Sequence, residues 1–487
     1  MESRKTEMLR SFYSRLDQHL AVDLRALGFF RLALGCLLAV EFALRMTDAH
    51  ALYSGNGVLP LDALKQLPQM SWPWALSLNA LSDSPAWQLA CMGLGLGASI
   101  LLAIGWRSSW VAPALLILLH SIQARNPWTN YGADKLLFLM LLWGSFLPLD
   151  RFYRLYPGPR SRRSNEPVLL SSWAAWGLRL QVCVMYLFSV FRKNGDTWFD
   201  GSALRNTLEI DQFALPLALW MKTLPTLLLQ ILTWTTLLVE LLAPCLILAR
   251  NVRARWVGLG CLFVLQFLFW MTLDIGIFPF VSTLALLPHL PGSLWNTPRG
   301  RVPLLHLKSE IHKAAGWQRF AGYLLAWMLV WNVVMTWQYP DTLKNRMPSW
   351  LGQGISLLRM DQYWGMFSPN PMVHDGWYVF LAEREDGSQF DLLDPDRAIL
   401  FEKPESVLAL FPGDRWKEFM MMLYDYPSQA FLWEKVVHHF QDRHTQRHPL
   451  EAPVRQVSVY YMMEETLSEG IAPVERELLW PRSREVD

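Results

Sequence analysis

Arg179, Tyr186 and Lys193 recur at intervals of seven within one long apolar run. Seven residues make nearly two helical turns, so the three drift by only ~20° per step and share one helix face. By rise per residue the stripe is about 21 Å long. Asn194-Gly195 ends the helix, and Trp198 follows where an interfacial aromatic belongs. Ionisable groups at membrane depth are costly, and are usually functional or paired. Lys193 sits beside Arg192, half out of water, and both desolvation and like charge favour its neutral form. A neutral lysine is a general base. The alternative is an anchor whose charged tip snorkels to the interface.

Such residues need a membrane around them, and the composition provides for one. Of 487 residues 52% are apolar and 18% charged, against about 25% charged in an average soluble protein. Mean hydropathy is +0.16. Spanning a ~30 Å hydrocarbon core takes roughly 20 apolar residues. Nine stretches qualify, near 24–46, 84–105, 108–124, 133–149, 170–192, 224–249, 255–272, 274–290 and 317–339. With the N-terminus inside, the inner segments hold 18 basic residues and the outer loops 8, as the positive-inside rule requires.

The expected fold class is therefore an all-α polytopic membrane protein of about nine transmembrane helices with a small C-terminal α+β extracytosolic domain. The parts are a cytosolic N-terminal segment (1–23), a transmembrane domain (24–339) and an extracytosolic domain (340–487). Residues 1–339 hold 29 Lys+Arg against 18 Asp+Glu, and residues 340–487 hold 15 against 24. Residues 1–23 carry no cleavable signal pattern; they form either an amphipathic surface helix or a solvated tail. The cell membrane is the expected location, with the Lys193 site on the extracytosolic side (periplasmic in a Gram-negative cell).

Several finer expectations follow. Trp377–Leu381 and Gln389–Leu393 flank Asp386-Gly387, a type I′ hairpin signal. The stretch 415–445 has a helical pattern, and Gln456–Met462 a strand pattern. Arg31, Glu41, Arg179 and Glu240 lie inside the spans and sum to zero, which suits two intramembrane ion pairs. Gly93 and Gly97 have the GxxxG spacing of closely packed helices. His438, His439, His444 and His448 lack an HExxH pattern and are expected to be solvated rather than metal-binding. All five cysteines lie within spans, so no disulfide framework and no metal site are expected.

The run Leu178-Arg179-x-Gln181 … Tyr186 … Arg192-Lys193 … Trp198-x2-Gly201 resembles the core motif of vitamin K-dependent gamma-carboxylases and of their wider bacterial relatives, the HTTM (horizontally transferred transmembrane) domain proteins. Arg31, the segment Tyr53–Pro60, Trp128-Thr129-Asn130-Tyr131, Ile275–Phe278 and Trp364–Pro371 agree in order, so the resemblance spans roughly residues 20–380. It implies about nine helices with a site near the extracytosolic side. It further implies that Lys193 is the base that deprotonates a reduced vitamin K-type naphthoquinone. Molecular oxygen then adds, the base so formed removes a proton from a peptide glutamate, and the quinone leaves as an epoxide. Carbon dioxide would trap the carbanion. Arg179, Tyr186 and Asn130 match pocket positions, with Trp128, Tyr131, Trp198 and Gln266 as further quinone- or substrate-site candidates. Two positions depart from the carboxylase pattern: Tyr131 and Gln266 stand where histidines are expected. Quinol oxygenation survives that change more readily than glutamate carboxylation does.

The implied partners are the lipid bilayer, a quinone and an exported peptide or protein. The competing reading is a non-catalytic membrane receptor, or a maturation or immunity partner for a secreted peptide, with Lys193 as anchor. A secondary transporter is weaker, since no paired Gly/Pro-broken halves occur. GxSxG, P-loop and GxGxxG motifs are absent. Nucleic acid is excluded as a partner by the acidic outer domain.

Overall fold

The computed structural model describes residues 19–67, 76–155, 169–295, 316–337, 348–395, 401–467 and 470–481. Residues 1–18, most of the N-terminal segment expected to form an amphipathic surface helix or a solvated tail, lie outside the described residues. Among the described residues nine helices match the nine apolar stretches: α1 Leu24–Thr47, α2 Pro85–Ile104, α3 Ser108–Arg125, α4 Gly132–Ser145, α5 Trp173–Arg192, α6 Thr226–Ile247, α7 Val252–Thr272, α8 Phe278–Leu286 and α9 Gly316–Trp337. Five of them, α1, α2, α5, α6 and α7, are long and apolar enough to cross a membrane. By this criterion five of the nine expected crossings are shown. The 14 residues of α4 and the 9 of α8 rise only about 21 and 14 Å. Large apolar side chains face outward along the bundle, among them Leu94, Trp110, Leu227 and Val264, as a lipid-facing surface requires.

Local chemistry sets the helix ends. Ser172 caps α5, its hydroxyl accepting from the Ala175 N–H at 3.2 Å, and Asn251 caps α7 in the same way. The α2 helix stops at Gly105, whose φ of +79° no branched side chain tolerates. A Cβ there would also sit on the Arg31 guanidinium.

The glycines that let helices touch are not the expected pair. A Cβ on Gly93 or Gly97 would meet nothing within 4 Å. At Gly35 it would lie 2.5 Å from the Ala103 backbone nitrogen, and at Gly95 2.3 Å from the Phe42 ring. The α1–α2 contact therefore depends on Gly35 and Gly95, while Gly93 and Gly97 face away. Gly35→Leu is expected to lower stability by about 1–3 kcal/mol, the range for overpacking a filled contact. Gly97→Leu is expected to be neutral. Thermal unfolding in detergent checks both.

The C-terminal region is α+β. It comprises α10 Ser349–Leu357, α11 Asp414–Asp425 and α12 Phe431–Arg447. After the two short pairing segments Val22–Asp23 (β1) and Leu169–Leu170 (β2), its strands are β3 His374–Arg384, β4 Gln389–Asp391, β5 Val454–Leu467, β6 Gly470–Ile471 and β7 Glu475–Trp480. The sheet is antiparallel, with β3 between β4 and β5, and β5 also pairing β6 and β7. Its buried face, including Tyr378, Phe380 and Val459, packs on Trp433 and Phe440 of α12. The β3–β4 connection lies where Asp386-Gly387 predicts it but is not type I′. The Arg384 N–H reaches the Ser388 carbonyl, leaving three loop residues, and only Gly387 has positive φ. That is a type I turn closed by a left-handed glycine.

His444 also departs from expectation. It is 6% exposed, with its ring 4.7 Å from Phe390 and 4.7 Å from His448. Among the described residues no group of three or more His, Cys, Asp or Glu is placed to hold a metal.

The sheet is tied to the bundle through the loop before α6. Gln212 Nε2 donates to the Gly376 carbonyl and the Tyr461 hydroxyl, both at 3.0 Å, and the Asp211 N–H donates to the Asp375 carboxylate. Burial, reinforced by the neighbouring Asp211 charge, pushes Asp375 up to about 7. The unfolded chain releases this proton near the ordinary value of about 4. Between these values the folded state binds more protons, so stability falls as pH rises through the window and levels off above it. The expected result is a lower melting temperature at pH 8 than at pH 5, with part of that slope removed in Asp375→Asn.

Candidate functional site

Lys193 is the residue at which α5 ends: its N–H donates to the Val190 carbonyl, and its backbone leaves helical geometry. The chain then turns under a second segment, residues 366–371. Gly195 is required there, because a Cβ would lie 2.0 Å from Asn370 Oδ1. Its N–H donates to the Pro369 carbonyl at 3.1 Å. Thr197 donates to Asn370 Oδ1 through both its N–H (3.2 Å) and its hydroxyl (2.7 Å). Trp198 Nε1 donates to the Phe367 carbonyl at 3.0 Å. Two motifs about 170 residues apart thus close one corner, and Trp198 is buried in it.

Inside that corner the Lys193 ammonium pairs with the Glu240 carboxylate of α6, both side chains being 3% exposed. The ammonium also lies 4.7 Å from the centre of the Trp198 ring, within cation–π range. The expected like-charge neighbour is turned elsewhere, with the Arg192 guanidinium 3.9 Å over the Tyr363 ring. The electrostatic partner of Lys193 is an acid, not a second base. A cavity of about 70 Å³ opens beside the pair, walled by Trp198, Phe269, Phe278, Met366 and Phe367. Thr207, Thr233, Thr236 and Thr272 are its neutral polar lining. Phe367 has φ +55°, a strained conformation for a bulky residue that is typical of functional sites.

The remaining residues singled out from sequence divide into four groups. Tyr186 and Gln266 form a buried pair, Gln266 Nε2 donating to the Tyr186 hydroxyl at 2.7 Å. Tyr131 abuts the cavity wall from behind: its hydroxyl accepts the Ile277 N–H at 2.9 Å, and the flanking Ile275 and Phe278 face the cavity. Trp128 and Asn130 lie farther along, Trp128 stacked on Tyr426. Arg179 is not with Lys193. It lies fourteen residues up the same helix, about 21 Å by rise per residue. There it donates to the carbonyls of His19 (2.6 Å), Ala21 (2.9 Å) and Ile247 (3.3 Å).

The expected pairing of the four intramembrane charges does not occur. Arg31 donates to the Tyr153 carbonyl at 2.7 Å, Arg179 takes carbonyls, and Glu240 takes Lys193. Glu41 joins a buried four-charge cluster. Arg45, one turn along α1, donates to Glu41 at 2.5 Å and to Asp134 of α4. Arg415, from α11 of the C-terminal region, donates to Glu41 at 2.6 Å, Asp134 at 2.5 Å and the Thr129 carbonyl at 2.6 Å. Arg45 also donates to the Tyr53 hydroxyl (2.7 Å) and Asn130 Oδ1 (3.2 Å). The Arg415 guanidinium lies 4.8 Å from the centre of the Tyr131 ring.

Sequence reasoning passed over Glu240 as a site residue, and Arg45, Asp134 and Arg415 altogether. The Glu41/Arg45 spacing of four was the available signal for one of them. Nothing local marks Arg415.

Two comparisons, with curated proteins and with solved structures, find no match. The family model for the HTTM domain matches residues 20–290, which takes in Glu41, Asn130, Tyr131, Arg179, Lys193, Glu240 and Gln266. The chain belongs to the HTTM domain family, whose members are membrane proteins related to the gamma-carboxylases.

Proposed function

We propose that this protein is an integral-membrane enzyme that takes a reduced naphthoquinone into the cavity beside Lys193 and removes a hydroxyl proton from it with the Lys193–Glu240 pair. When bound, the reduced quinone would supply the electrons that activate molecular oxygen, leaving as an epoxide. The observation that carries the reading is the pair itself: a lysine and a carboxylate, both buried, at the edge of an aromatic-walled cavity. The donor set fits a flat hydroxylated ring. Lys193 meets the hydroxyl, Trp198, Phe269 and Phe278 meet the ring, and the threonines stay neutral. Size adds a condition. The cavity is about 70 Å³, roughly half of one known to admit benzene, so a bicyclic ring enters only when Met366 and Phe367 swing outward.

Glu240 has a defined part in this scheme. A charged lysine cannot accept a proton, so the pair works as a base only when Glu240 holds the shared proton and leaves the amine free. The family resemblance extends the reading to carboxylation of glutamate in an exported peptide, which requires carbon dioxide. Nine membrane crossings, a cytosolic N-terminus and an extracytosolic Lys193 site complete the proposal, supported by the 18-to-8 bias of basic residues.

The second reading, a receptor or maturation partner without chemistry, is favoured by the fact that Lys193 is already neutralised by Glu240 and ties α5 to α6. Quinone epoxide formation by wild type and Lys193→Ala separates the two readings.

A further inference from the structure

A second cavity, of about 150 Å³, lies in the C-terminal region and shares no lining residue with the first. It opens between the chain after β4, the turn Leu408–Leu410 and α12. Leu392, Leu410, Pro412 and Phe440 make one side apolar. The other side is basic. Arg443, His444 and Arg447 occupy positions i, i+1 and i+4 of α12, which is one helix face, and His448 follows directly at its C-cap.

Among the described residues no carboxylate lines this cleft, although residues 340–487 carry 24 acidic against 15 basic residues. The two histidines have a carboxylate nearby, with Glu451 at 3.3 Å from His444 Nε2 and 3.2 Å from His448 Nδ1. Glu451 is further engaged by Arg384 at 2.5 Å. The two arginines differ. Among the described residues neither Arg443 nor Arg447 makes an ion pair, and the opposite charge that Arg443 senses, Asp48, lies outside ion-pair distance. A basic cleft whose two arginines have no acid partner among the described residues, set in an acidic region, is complementary to an anion from elsewhere.

Size and polarity narrow the ligand. A cavity near 150 Å³ takes a group of about the size of benzene, and paired guanidinium groups are built to grip a carboxylate. We propose that this cleft binds a peptide segment in which a carboxylate adjoins a leucine- or phenylalanine-sized side chain. The side chain enters against Leu392, Leu410 and Phe440, and the carboxylate bridges Arg443 and Arg447. The site is independent of the chemistry at Lys193.

The carboxylate could be a chain end or an acidic side chain, and the test distinguishes them. The full chain in detergent is titrated with three dye-labelled peptides and followed by fluorescence anisotropy. They are Gly-Ser-Gly-Ser-Leu with a free carboxylate, the same peptide amidated, and amidated Gly-Ser-Glu-Leu-Ser. Binding of the free acid but not its amide identifies a chain end; binding of the Glu-Leu peptide identifies an acidic side chain. In either case the Arg443→Gln/Arg447→Gln variant is expected to weaken binding by roughly tenfold or more, the scale of a lost charge-assisted pair. Ala409→Trp, at an exposed lining position, is expected to do the same by filling the cleft. It decides the matter if the double variant does not fold. Lys193→Ala is expected to leave binding unchanged. No binding by any of the three peptides, or binding that ignores both cleft variants, overturns the proposal.

Discussion

Lys193→Ala is expected to abolish quinone epoxide formation in membranes supplied with naphthohydroquinone and oxygen. General-base removal ordinarily costs about 10²–10⁴-fold, which places the variant at or below background. The size of the effect follows from the surroundings. Within the cavity Lys193 is the basic nitrogen, the remaining polar groups being Glu240 and neutral threonines. No neighbouring side chain of the lining can replace the amine. Truncation also leaves Glu240 buried without its partner, so folding must be read separately, by thermal unfolding in detergent. Glu240→Gln supplies the control. It keeps the shape of the pair and removes the acceptor of the shared proton, so a folded Glu240→Gln protein is expected to lose epoxide formation as well. Unchanged epoxide yield in folded Lys193→Ala would remove the catalytic reading and leave the receptor reading. Labelled bicarbonate in the same membranes tests the second half: entry of label into exported peptide, lost in Lys193→Ala, is the expected signature of carboxylation.

Arg415→Ala is expected to destabilise the protein by about 3–5 kcal/mol, the range for breaking a buried ion cluster from one side. Arg415 brings one positive charge from α11 into a cluster whose other members, Arg45, Glu41 and Asp134, belong to the helix bundle. With it the cluster is neutral. Without it two carboxylates share one guanidinium in a site where all members are at most 6% exposed. The Thr129 carbonyl also loses a donor, and such a buried acceptor costs about 1–3 kcal/mol when unmade. Arg415→Lys should recover only part of the loss, because a single ammonium cannot serve Glu41, Asp134 and Thr129 in the planar fork that a guanidinium provides. Limited proteolysis should find the C-terminal region released from the bundle in Arg415→Ala. A melting temperature equal to wild type would show that the cluster contributes nothing to docking.

The charge cluster also shows why the candidate site was only partly legible beforehand. Lys193, Trp198 and Gly195 sit within seven residues, and their helix-end context is local, so spacing and chemistry were enough to single them out. Glu240 was visible as a costly intramembrane acid, but four such charges admit several pairings and hydropathy cannot choose among them. Once α5 and α6 are packed, Glu240 faces Lys193 and the choice is made. Arg179 shares a helix face with Lys193, yet a shared face is not a shared site. Fourteen residues along a helix separate the two, and the carbonyls of His19, Ala21 and Ile247 take its donors. The glycine pair failed for a related reason. GxxxG spacing says two glycines lie on one face, whereas contact depends on which face meets a neighbour, and that is Gly35 and Gly95.

Sequence alone determined the apolar helices, the α+β C-terminal region, the position of the β3–β4 turn and Lys193 as the centre of interest. Each depends on periodicity, length or residue type over fewer than about 25 neighbours, where side-chain physics is local. Tertiary structure alone decided the Lys193–Glu240 pair, the insertion of Arg415 into the bundle and the basic cleft along α12. Those depend on which distant surfaces come together, and a buried charge takes whatever partner packing delivers, because the cost of leaving it unpaired exceeds any local preference.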